Sequence, residues 1–104
     1  MSQNELYPIF LKVAQLEILI VGGGNVGLEK LTFLLKSSPR ANVTVVAPDF
    51  HVELVELAKK HNVNLVEDSY NLSYLEGMHM VIATADDIPV NIQVYKDCKE
   101  RNIL

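Results

Sequence analysis

Gly22, Gly24 and Gly27 stand at the spacing G-x-G-x-x-G, and the chemistry they permit comes from what they lack. The apolar run Ile18-Leu19-Ile20-Val21 precedes them and the amphipathic Leu28 to Lys36 follows. Strand, tight turn and helix is the context in which this spacing binds the diphosphate of an adenine dinucleotide. Gly22 lets the chain leave the strand in a conformation a side chain would forbid. Gly24 has no Cβ, so a diphosphate can approach the backbone, and Gly27 lets the helix lie close on the strand. The unpaired N–H groups of the first helical turn then face the anion, aided by the helix dipole.

A dinucleotide also needs a partner for its adenine ribose, usually an acidic residue at the end of the second strand. Ala47-Pro48 holds that place, with Asp49 one step further and 22 positions beyond Gly27. Arg40 lies before the strand rather than after it, so nothing cationic waits for a 2′-phosphate, and the expected cofactor is NAD rather than NADP. Pro48-Asp49 also reads as the start of a turn and helix, and both roles are compatible. Ligands in this fold sit outside the carboxyl ends of the strands, so Thr84-Ala85-Asp86-Asp87 forms the next wall. Helix capping accounts for one of its two acids and leaves the other to be explained.

The elements that position these residues alternate. Strands are expected at Leu16 to Val21, Asn42 to Val46, Val63 to Val66 and Met78 to Thr84. The first is nearly all apolar and the second mostly β-branched, as in strands covered on both faces. Helices are expected from Asn25 to Lys36, from Val52 to about His61-Asn62, and from about Asp87 to Glu100, with Pro89 in the first turn of the last. The second helix shows Val52, Leu54, Val55, Leu57 and Ala58 on its apolar side, and the third Val90, Ile92, Val94, Tyr95 and Cys98. Residues 67–77 read as a loop with one short helical turn. Tyr7 to Val13 reads as an apolar lead-in or edge strand, since Pro8 cannot donate to a ladder. Ile103-Leu104 begins a fifth strand. The fold class is therefore α/β, a Rossmann-like doubly wound parallel sheet truncated at its fifth strand. Residues 1–104 are one NAD-binding domain, expected to be the N-terminal fragment of a longer protein.

Composition narrows the function further. The 104 residues are 49% hydrophobic, ample for one core, and carry a formal charge of −4. Phosphate-backbone binding wants a basic face, and Lys59-Lys60, Lys96, Lys99 and Arg101 are too scattered to make one, so no nucleic-acid partner is expected. No stretch approaches the roughly 20 apolar residues of a membrane span, and Met1 to Glu5 does not begin a secretory signal. The lone Cys98 suits a reducing cytoplasm. His51, His61 and His79 lack ligand spacing, and no metal site is expected. Met78 and Met80 are expected on one side of the fourth strand, filling core; Tyr70 and Tyr74 are expected in the packing of the short turn, with an aromatic face capping a ligand as the alternative.

An ordered set of segments carries a family likeness. Tyr7-Pro8-Ile9-Phe10-Leu11-Lys12, Val21 to Gly27 with Lys30, Val45-Val46-Ala47-Pro48, Leu75-Glu76-Gly77, and Val81 to Asp87 with Asn91 together resemble the N-terminal module of siroheme synthase, the precorrin-2 dehydrogenase/sirohydrochlorin ferrochelatase family. The likeness spans nearly the whole chain. It departs at Gly27, where the family commonly has alanine, and at Thr84-Ala85, where the family has alanine-threonine. The second departure moves a hydroxyl contact by one residue.

The resemblance implies an NAD-dependent oxidation of the tetrapyrrole precorrin-2 to sirohydrochlorin, followed in many members by insertion of ferrous iron. It implies that Gly22, Gly24, Asn25, Val26 and Gly27 hold the pyrophosphate side and Pro48 and Asp49 the adenosine ribose, with Thr84, Ala85 and Asp86 beside the nicotinamide half. The family's catalytic aspartate follows the fifth strand, so no catalytic residue is assigned here. A homodimer is implied for the full protein. A regulatory NAD-sensing domain of a potassium transport system shares the glycine pattern, but usually closes its second strand with an acid directly on the ribose.

Overall fold

Ile18, Leu19 and Ile20 have no exposed surface, so the strand that carries them is covered on both faces. In the computed structural model, which describes residues 9–104, that strand is β1 (Glu17–Val21). It is followed by α1 (Asn25–Ser37), β2 (Asn42–Ala47), α2 (Val52–His61), β3 (Asn64–Glu67), a 3-10 turn at Leu72–Leu75, β4 (Met80–Ala83) and α3 (Ile88–Glu100). The strands form one parallel sheet in the order β3-β2-β1-β4. The chain passes outward from β1 through β2 to β3, then returns to add β4 on the other side of β1. That reversal opens a crevice at the carboxyl ends of β1 and β4.

The pleat sorts the core into two layers. Ile18 and Ile20 of β1 and Val43 and Val45 of β2 pack with Leu31 and Leu35 of α1 and Leu54 and Ala58 of α2. Leu19 and Val21, with Val46 of β2, face the other way onto Leu75, Val94 and Cys98. Helices α1 and α2 thus cover one face, and α3 with the 3-10 turn covers the other, which is the doubly wound arrangement expected. Asn62, at φ 56°, ends α2 in the left-handed region, a conformation asparagine tolerates.

Three expectations need correction. Tyr7 and Pro8 lie outside the described residues; of the lead-in that is described, Ile9–Lys12 forms no strand and Val13–Gln15 is a 3-10 turn. Met78 and Met80 do not share a side. Met78 sits in a turn, its N–H donating to the Leu75 carbonyl at 3.0 Å, and packs on the Leu19 layer, while Met80 packs on the Ile18 layer. The third helix buries Val94, Asp97 and Cys98, whereas Ile92 is 49% and Tyr95 66% exposed. Leu104 lies beside β4, accepting from the Val81 N–H at 2.9 Å and donating to the His79 carbonyl at 3.3 Å.

Candidate dinucleotide site

The glycine elbow is held from three sides. The Gly22 N–H donates to the Val46 carbonyl of β2 at 3.0 Å. The Thr84 N–H and its hydroxyl both donate to the Val21 carbonyl, at 2.8 and 3.0 Å. The His51 N–H donates to the Gly23 carbonyl at 2.8 Å, tying the loop after β2 to the elbow. Gly22 has φ +126°, and a Cβ there would stand 2.7 Å from the Thr84 carbonyl carbon, so both conformation and space require glycine. A Cβ on Gly27 would press on the Gly22 carbonyl oxygen, which is the close helix–strand approach expected of that position.

Gly24 differs from its neighbours. Its φ is −89°, open to any residue, and the atom nearest to a Cβ placed there is the Asp86 Oδ2 at 3.8 Å. No atom of the fold crowds this point, so the space in front of Gly24 is open. Gly24 is the N-cap of α1, and no side chain caps that end. The first α-helical bond is donated by the Leu28 N–H to the Gly24 carbonyl at 2.9 Å. The N–H groups of the preceding turn, including those of the exposed Asn25 and Val26, therefore have no partner within the helix. The space and the donors fit a diphosphate. Asp86 is exposed, so its carboxylate can turn to solvent when an anion arrives.

Beside the elbow lies a cleft of about 330 Å³. Val21 and Gly22 form its floor. Pro48 and Asp49 wall it after β2, Ser69 and Tyr70 after β3, and Ala85, Asp86 and Asp87 after β4. The structure thus brings Ala85 and Asp86 into one cleft with Pro48 and Asp49. Thr84 stands behind Gly22, buried, with its hydroxyl given to Val21. The Ala85 peptide is clamped at both ends by the Asn91 amide, which accepts from its N–H at 3.0 Å and donates to its carbonyl at 2.8 Å.

Sequence reasoning gave Gly23 no role, yet a Cβ there would abut the Asp49 carbonyl and stand 2.9 Å from the Phe50 ring; the third consecutive glycine was the signal. Tyr70 both lines the cleft and packs on the apolar layer beneath it, so the two roles its sequence position offers are compatible. Two of the histidines serve the backbone: His51 Nδ1 accepts from the Glu53 N–H at 3.2 Å and caps α2, and His79 Nδ1 accepts from the Glu17 N–H at 2.9 Å. Among the described residues no three His, Cys, Asp or Glu side chains converge as metal ligands. No helix among them is long and apolar enough to cross a membrane.

Comparison with known proteins agrees with this geometry. Residues 9–104 match a family described as "Putative NAD(P)-binding". The chain belongs to that family. Its relatives include the siroheme synthase of Pseudoalteromonas translucida (strain TAC 125), 42% identical over 96 residues, covering 92% of this chain and 20% of the relative. The siroheme synthase of Chromobacterium violaceum is 39% identical over 100 residues, covering 96% of this chain and 21% of the relative. The chain therefore spans about a fifth of the curated relatives it matches. A solved structure titled "SirC, precorrin-2 dehydrogenase" superposes with a TM-score of 0.78 at 24% identity, over 86% of this chain and 44% of that one, which establishes the shared fold. These matches lend no support to the transport-regulator reading.

Proposed function

We propose that this chain holds NAD across the glycine elbow and the adjoining cleft, as the dinucleotide-binding part of a precorrin-2 dehydrogenase that yields sirohydrochlorin in siroheme synthesis. The observation that carries the binding reading is Gly24, a glycine with open space in front of it at an uncapped helix end. The relatives that are siroheme synthases support the reaction.

In this reading Gly22, Gly24, Asn25, Val26 and Gly27 form the diphosphate cradle, and Gly22 and Gly27 act by allowing close approach. Pro48 and Asp49 flank the adenosine ribose. Ala85 and Asp86, which the resemblance puts beside the nicotinamide half, form the wall facing Pro48 and Asp49. In this reading they stand where the adenosine side of the cleft passes to the nicotinamide side. Asn91 and Thr84 hold that wall in place from behind. Among the described residues that line the cleft, none is lysine or arginine, and Asp49, Asp86 and Asp87 are all exposed there. A 2′-phosphate would meet carboxylates with no cation to pair with it, which supports NAD over NADP.

When bound, NAD supplies the hydride acceptor, and the protein's part is to orient it and shape the site. None of these side chains is assigned a catalytic role. Ferrous iron and a homodimer enter the proposal through the family resemblance, and a reducing cytoplasm through the lone Cys98.

Titration of the chain with NAD and NADP tests the binding reading. Saturable binding of NAD, tighter than that of NADP, is expected; no saturable binding overturns it. Conversion of precorrin-2 by the full-length protein with NAD tests the reaction, and failure of that conversion under conditions where NAD binds refutes the dehydrogenase assignment alone.

A further inference from the structure

Asp97 is a buried carboxylate that the reading above leaves without a task. It lies on α3, 8% exposed. Its Oδ2 accepts from the Tyr70 hydroxyl at 2.7 Å and its Oδ1 from the Gln93 Nε2 at 2.9 Å. The Arg101 guanidinium, 3.4 Å from the Asp97 main-chain carbonyl, adds positive charge nearby, and Cys98 is its neighbour in the chain. A carboxylate is costly to bury unless donors satisfy it, and here two side chains do so.

Tyr70 links this carboxylate to the cleft. It lies 27 positions from Asp97 in sequence, in the segment between β3 and the 3-10 turn, where Asp68, Ser69 and Asn71 are all exposed. That segment is tied at one end, where the Asp68 N–H donates to the Ala47 carbonyl at 2.9 Å and the Tyr74 hydroxyl donates to the Asp68 carboxylate. Tyr70 contributes to the cleft wall and packs on the apolar layer beneath it. Burial, then the bond to Asp97, push the Tyr70 phenol above its ordinary range, and the Tyr70 bond holds Asp97 below its own. The pair is thus a neutral phenol on an ionised carboxylate at neutral pH.

We propose that Asp97 is a positioning residue for adenosine: through the Tyr70 hydroxyl it fixes the aromatic wall against which the purine packs. The inference rests on the cleft being the adenosine end of the NAD site. An aromatic face is the surface on which a purine gains most, and a ring already fixed binds without being ordered first.

The test titrates the chain with AMP, NAD and nicotinamide mononucleotide. Binding of neither AMP nor NAD by the parent sinks the cleft reading itself, and this inference with it. If the parent binds, Tyr70→Phe and Asp97→Leu are each expected to weaken AMP and NAD about fivefold and to leave nicotinamide mononucleotide unchanged. The double variant should be no weaker than either single one, since both cut the same link. Asp97→Asn, which keeps an acceptor for the phenol, should restore binding to within about twofold of the parent. Parental AMP affinity in Tyr70→Phe overturns the inference, as does equal weakening of nicotinamide mononucleotide. Tyr70→Phe removes a single oxygen, so it decides the matter if Asp97→Leu does not fold.

Discussion

Replacing Gly24 with leucine should separate binding from folding. At φ −89° the backbone accepts a leucine, and its Cβ would meet only the Asp86 carboxylate at 3.8 Å. The structural cost is the change at the helix N-cap, where leucine is poorer than glycine by about 0.5–1 kcal/mol. For a domain of this size that lowers Tm by roughly 2–8 °C. The cost to the ligand is much larger. Hydrogen bonds from N–H groups to a charged oxygen are worth about 1.5–3 kcal/mol each, and a branched side chain over the elbow denies the diphosphate at least two. Even at the low end that is about 3 kcal/mol, more than a hundredfold in Kd. Calorimetric titration with NAD, beside a thermal melt of the unliganded chain, reads both quantities. A variant that melts near the parent and binds NAD equally well would refute the diphosphate assignment.

Other substitutions at the site should behave differently. Gly22→Ala combines positive φ with contact against the Thr84 main chain, and should cost about 2–4 kcal/mol of stability in denaturant titration; a parental unfolding midpoint would contradict the geometry. Thr84→Val removes the hydroxyl bond to Val21 and should lower stability by about 1 kcal/mol with NAD affinity nearly unchanged, whereas a large loss of affinity would mean the hydroxyl touches the cofactor. The Tyr70–Asp97 pair predicts two limbs in stability against pH. Asp97 is depressed when folded, so its contribution is full above the ordinary aspartate range near pH 4 and is lost as pH falls through the lower folded value. Tyr70 is raised, so its contribution is full below about pH 10 and fades as pH rises beyond that. Tyr70→Phe should flatten both limbs in urea titrations across pH.

Much of this architecture was legible because periodicity and punctuation agreed. The apolar runs at Ile18–Val21 and Val43–Val46 and the proline at position 89 placed most elements to within one or two residues. The elbow was legible because Gly22 and Gly27 each have a steric reason, a positive φ at one and a close helix–strand approach at the other. What failed depended on tertiary contact. Helical spacing offered Ile92 and Tyr95 as core, but the sheet takes up the stripe of Val94 and Cys98, and the hydroxyl of Tyr70 draws Asp97 inward. Alternation put Met78 and Met80 together because the turn at Leu75–Met78 was not visible in the residues. Asn91 was recorded without a role, since a clamp on a peptide six positions earlier leaves no local pattern. Thr84 and Asp86 are two residues apart in sequence, yet one is locked into the scaffold and the other is exposed.

The ties from Gly22 to Val46, from Thr84 to Val21 and from His51 to Gly23 bind the glycine elbow, the proposed phosphate cradle, to β2, β4 and the start of α2. An elbow anchored in this way has its shape before any cofactor arrives. Association should then proceed at the pace of diffusional encounter, with a rate linear in NAD concentration and no saturating slow phase. Differences in residence time among variants would arise in the loops after β2, β3 and β4, so the grip on the adenosine end could change without disturbing the anchor.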